Sequence, residues 1–231
     1  MEIATVQIGN LIIGEPMTSL TDIIIAVTSF TLFFRIRDRL NESYFYQSWR
    51  MFFLFMGVST TFGTVAHALN GSRAVELYNV LFQCMTICSS VAVFYALQAT
   101  ISFMSLSDTL RRYMHAGNVV LLFIFIAYTI MLSDFEIFKL HAGGALFIIF
   151  LTHLIAMGKN HWGSGWIVSG MLLSFFTVFI HSIQFSFSRW FNYKDISHVI
   201  MVMSLLFIYM GIKSMHEHLR LSVFRARMAN R

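Results

Sequence analysis

Seven apolar runs separated by short polar breaks leave this 231-residue chain few folds to choose from. They lie near residues 18–34, 49–69, 75–104, 114–132, 138–157, 162–187 and 195–212. Each is close to the ~20 residues a helix needs to cross the hydrocarbon of a bilayer. In lipid the backbone must satisfy its own hydrogen bonds, and runs this long are too long for barrel strands. The expectation is an all-α integral membrane bundle of seven transmembrane helices over residues 1–213, followed by a short basic tail at 214–231. Only 12% of the residues are charged, about half the share of a soluble domain, so no separate soluble domain is expected. Residues 1–14 lack the basic start of a cleaved signal peptide.

The positive charges set an orientation. Twelve of the 16 Lys and Arg residues fall on one side of the seven runs: Arg35, Arg37, Arg39, Arg50, Arg111, Arg112, Lys159, Lys213 and four in the tail. Arg73, Lys139, Arg189 and Lys194 fall on the other. The positive-inside bias places the N-terminus outside and the C-terminus in the cytoplasm, in a plasma or bacterial inner membrane. The net charge of +5 sits in loops and tail, so it reads as topology signalling rather than as a nucleic-acid surface. The tail is expected to lie along the anionic cytoplasmic face. Trp49, Trp162, Trp166 and Trp190 fall near run ends, where interfacial aromatics belong.

Ionisable groups inside spans are expensive, so each is a candidate functional group. With this topology His67, His141, His181 and His198 come to one end of the bundle together with Asp22, Glu76 and Asp195. Thr60, Gly63, Thr64 and His67 share one stripe of the second run. Glu76, Asn79, Gln83, Thr86 and Ser90 form a polar face of the third, and Asp195 and His198 are three apart on the seventh. Glu15 precedes Pro16 and reads as a solvated carboxylate at the positive end of the first helix. His115, His153 and His161 fall at the opposite end and are assigned to the interface. Cys84 and Cys88 read as small buried hydrophobes.

Imidazoles and a carboxylate on facing helices can supply the first shell of zinc, which in catalytic sites keeps a position for water. His67 and His198 are the first choices, with Asp195 or His181 as third ligand. If His181 is the third ligand, Asp195 can orient His198 instead. Glu76 or Asp22 is the candidate general base.

The stretch from Thr60 to His67, the stretch from Asn192 to Val199, Glu76-Leu77 and the polar opening from Glu15 to Asp22 resemble the CREST superfamily. That group includes the alkaline ceramidases and the progestin and adipoQ receptors. The resemblance implies a seven-helix bundle with zinc held by one histidine of the second helix and two of the seventh. For the ceramidases it also implies hydrolysis of a lipid amide by zinc-activated water. Gly63 stands where the family has a serine, so the oxyanion hydroxyl falls to Thr60 or Thr64. Lys194 and Val202 stand four before and four after His198, so the second seventh-helix histidine is absent.

Three functions remain in view. One is a zinc-dependent hydrolase acting on a membrane-lipid amide or ester. The others are a b-type haem protein held by two of the four histidines, and a seven-helix sensor or receptor for a small ligand. The middle of the seventh run has no lysine, which disfavours a retinal protein.

Overall fold

The computed structural model describes residues 4–9, 11–37, 43–72, 74–132 and 135–229. Among them, seven helices are long and apolar enough to cross a membrane. They are α1 (Pro16–Arg37), α2 (Tyr44–Leu69), α3 (Val75–Phe103), α4 (Asp108–Leu132), α5 (Phe135–Gly158), α6 (Ser164–Ile183) and α7 (Tyr193–Ala229). A hairpin of β1 (Thr5–Ile8) and β2 (Leu11–Gly14) precedes them, with Thr5 opposite Gly14 and Ile8 opposite Leu11. The sequence reading did not foresee this hairpin, because four-residue strands give too short an alternation to stand out.

The helices close into a ring in which α1 packs on α2, α2 on α3, α3 on α5, α5 on α6, α6 on α7, and α7 back on α1. Helix α4 stands outside the ring against α3 and α5 and buries only Asn118 and Thr129. Its remaining apolar surface, including Phe123 and Met131, suits lipid contact. Helix α3 has 29 residues, about 43 Å at 1.5 Å per residue, more than a bilayer core requires.

Helices α6 and α7 approach closely at their glycines. Gly163, at φ +83°, would set a Cβ 2.3 Å from the Gly211 carbonyl, and Gly211 in turn approaches Ile167. Small residues let membrane helices meet at this distance. Ser174 and Ser204 then hydrogen-bond across the crossing at 2.7 Å.

Several expectations change. Trp49 is fully buried among Phe45 and Phe52 rather than interfacial. His153 is likewise inside the bundle, stacked on Phe103 at 4.6 Å. Helix α6 stops at Ile183, where Gln184 takes a left-handed φ of 52°. Residues 214–229 of the tail continue α7 instead of forming a separate helix.

Candidate metal centre

One end of the bundle gathers the start of α1, the end of α2, the start of α7 and the hairpin. Pro16 opens α1, where its missing N–H costs no hydrogen bond. Thr18, Thr21 and Asp22 then line the buried face of its first two turns. The last turn of α2 supplies His67. The start of α7 is closed by a capping box: Asn192 Oδ1 accepts from the Lys194 N–H at 2.8 Å, and Asp195 Oδ2 from the Asn192 N–H at 2.7 Å. That box sets His198 one turn further on, facing α1.

The hydrogen bonds fix which ring nitrogens carry protons. Glu15 Oε2 lies 2.6 Å from His67 Nδ1, and a carboxylate only accepts, so His67 Nδ1 is the donor. Thr21 Oγ1 donates to the Thr18 carbonyl at 3.0 Å and lies 2.9 Å from His198 Nδ1. Its single proton satisfies both contacts only if His198 Nδ1 is the other donor. In the neutral rings both Nε2 atoms are therefore bare lone pairs. Both face the Asp22 carboxylate, His67 Nε2 at 3.9 Å from Oδ2 and His198 Nε2 at 3.7 Å from Oδ1. Asp22 Oδ2 is buried with no hydrogen-bond partner.

Two imidazole nitrogens and a carboxyl group thus converge in a place that desolvates them. Such a group is stable when a cation or added protons fill the gap. Zinc bonds of about 2.0–2.1 Å put tetrahedral donors roughly 3.3–3.4 Å apart, so the two imidazole–carboxylate pairs, at 3.9 and 3.7 Å, stand too wide. Among the described residues no group of three His, Cys, Asp or Glu side chains is placed so that it could hold a metal ion. The donor types are those zinc takes, and their distances here are wider than a zinc shell.

Residues 17–217 match DUF6962, a family of unknown function. The chain belongs to the DUF6962 family. Comparisons with curated proteins and with solved structures give no match. Glu15 and the hairpin precede the matched stretch.

In this DUF6962 protein the residues singled out from sequence separate into those the fold brings together and those it does not. His67, His198 and Asp22 meet. Asp195 does not join them, since Oδ2 closes the capping box and Oδ1 accepts from Thr18 at 2.8 Å. His181 packs edge-on against Tyr193 at 4.9 Å and near Phe135. Glu76 is exposed in the first turn of α3, and no hydrogen bond or ion pair ties it to the group among the described residues. Thr64 and Thr60 both donate back to carbonyls of their own helix, the usual fate of hydroxyls in membrane helices. His141 stacks on Phe125 at 4.4 Å with neither ring nitrogen hydrogen-bonded. A buried imidazole without partners carries a desolvation cost that phenylalanine would not. His141→Phe is therefore expected to leave metal content unchanged and to hold or raise the melting temperature in detergent.

Glu15, Lys194, Thr21 and Gly63 are the participants the sequence reading missed or misplaced. Glu15 is 7% exposed rather than solvated, and its Oε1 accepts from Lys194 Nζ at 2.6 Å. Its φ of 41° costs an L-residue about 1–2 kcal/mol. A conformation of that cost persists only where the surroundings over-determine it. Gly63 leaves the room that Asp22 fills, because a Cβ there would lie 2.7 Å from Oδ2. Burial alone would raise the Glu15 carboxyl, but the hydrogen bond with His67 and the charge of Lys194 outweigh it and hold the pKa at about 2, against an ordinary 4.5. Its stabilising effect is therefore complete above pH 4.5 and is lost as pH falls toward 2. The gap in melting temperature between wild type and Glu15→Gln should stay constant from pH 8 to pH ~5 and narrow below 4.5.

Proposed function

We propose that His67, His198 and Asp22 bind zinc and that the protein hydrolyses an amide or ester of a membrane lipid. The observation carrying this reading is the convergence of two bare Nε2 atoms on one buried carboxylate. Bound there, zinc supplies a Lewis acid that polarises a carbonyl and lowers the pKa of a water toward ~7. His67 and His198 hold their Nε2 lone pairs inward, fixed by Glu15 and Thr21 on the opposite nitrogen. Asp22 takes the place of the missing second histidine of the last helix, as third ligand in preference to Asp195 or His181. Glu76 and Thr64 have no part in this reading.

The lipid nature of the substrate draws support from the bundle interior. A cavity of about 140 Å³ lies between α2, α3, α5, α6 and α7, lined by Trp49, Phe52, Met56, Ala145, Met171 and Met201 among others. Met201 is one helical turn below His198, so the cavity begins just beneath the polar group. Its volume is similar to engineered cavities that hold benzene, enough for a segment of an acyl chain. The same cavity would serve the second reading, a receptor that binds an apolar ligand without turning it over.

Haem is the weaker cofactor. Bis-histidine ligation puts the imidazoles on opposite faces of the macrocycle, whereas the Asp22 carboxyl occupies the space that both Nε2 atoms approach. The likeness to the CREST superfamily agrees with zinc, with a different third ligand. The charge bias puts this centre near the outer face and α7's C-terminal end in the cytoplasm. The test is hydrolysis of lipid amides and esters in mixed micelles, before and after chelation and zinc readdition. Turnover that disappears with chelator and returns with zinc in wild type, but not in Asp22→Asn, is the expected result. Turnover indifferent to chelator would contradict it, and ligand binding without turnover would favour the receptor.

A further inference from the structure

We propose that Glu15 is a positioning residue through which the N-terminal hairpin and α7 set the metal affinity of His67. The inference rests on the zinc reading above and adds to it a mechanical connection between three elements.

Glu15 ties these elements together by separate atoms of a single residue. Its backbone N–H donates to the Ala4 carbonyl at 2.9 Å, which fastens the open end of the hairpin to the start of α1. Its Oε2 accepts from His67 on α2, and its Oε1 accepts from Lys194 on α7. The residue before it is wedged as well, because Gly14 fits against the Asn70 carbonyl where a Cβ would come within 1.8 Å. Asn70 is three residues beyond His67, and its N–H donates to the His67 carbonyl at 3.2 Å. The hairpin therefore braces the end of α2 by its backbone and grips the His67 ring through a carboxylate.

A metal-bound imidazole gains basicity and a fixed orientation when its other nitrogen donates to a carboxylate. Here that carboxylate sits in a left-handed backbone conformation that glutamate adopts at a cost. The arrangement holds only while the hairpin is docked and Lys194 occupies the second oxygen. Displacing the hairpin would withdraw Glu15 and free the His67 ring to turn its Nε2 away from Asp22.

The experiment is a competition titration of zinc against a fluorescent chelator, using full-length protein in detergent. Wild type is compared with Glu15→Gln, Lys194→Met and Gly14→Val, each with its melting temperature recorded. Glu15→Gln is expected to lose about 10–100-fold in zinc affinity, the usual cost of an outer-shell partner. Gly14→Val, which alters no atom near the metal, should lose a comparable factor, and Lys194→Met a smaller one. If Glu15→Gln or Gly14→Val fails to fold, Lys194→Met alone decides. Wild-type affinity in Lys194→Met and in whichever of the other two fold would overturn the inference while leaving the zinc reading intact. Absence of zinc binding in wild type would overturn both.

Discussion

Asp22→Asn is expected to abolish zinc binding, a loss of at least ~100-fold in affinity and beyond the range of outer-shell partners. The protein itself should remain folded. The change removes the carboxylate that faces both Nε2 atoms. The new amide also brings N–H donors, which can hydrogen-bond a bare imidazole nitrogen and close the gap without a cation. Metal-free Asp22→Asn should therefore melt at or above metal-free wild type, the pattern seen where a site is held at a cost to stability. Asp195→Asn makes the opposite prediction. Asp195 closes the capping box of α7 and accepts from Thr18, so its replacement should cost about 1 kcal/mol of stability and retain the metal. Metal content and melting temperature, measured on both variants, separate the two aspartates.

The largest effect on the fold itself is expected from Gly163→Ala. At φ +83° an L-residue costs about 1–2 kcal/mol. Its Cβ would also lie 2.3 Å from the Gly211 carbonyl and 2.7 Å from Met215. A backbone atom cannot step aside as a flexible side chain can, so α6 and α7 must separate, adding roughly 1–3 kcal/mol. A total of about 2–5 kcal/mol should appear as a large drop in the midpoint of thermal unfolding in detergent. Helix α7 carries His198, so zinc affinity should fall with it. Gly117→Ala is the control: nothing lies within 4 Å of the added methyl in exposed α4, and helix propensity alone would make it slightly stabilising.

The seven helices were legible because apolar runs of membrane length admit one structure. Where the expectation missed, two signals shared the same residues. Asp195 and His198 are three apart and read as a ligand pair. The same stretch from Asn192 to Asp195 also has the spacing of a capping box, and the backbone N–H groups at a helix start claim the carboxylate first. Glu15 looked like an ordinary carboxylate at a helix N-terminus. Its burial depends on a hairpin too short to show in the pattern and on Lys194, 179 positions away. Glu76 belongs to a polar face of α3 that reads as inward, yet its position in the first turn leaves it exposed. His141 and His181 were grouped with His67 by depth alone. Depth fixes the level of a residue in the bundle but not which neighbour it faces, and both rings face aromatic partners. Gly63 carried a usable signal: a glycine one turn from a histidine in a span is where another side chain can enter, and Asp22 does.

The most direct test of the metal centre is elemental analysis of the protein purified without added metal or chelator, alongside His67→Ala and His198→Ala. Close to one zinc per wild-type chain is expected, and a small fraction of that in either variant. Wild-type protein without zinc, or all three with the same content, would contradict it.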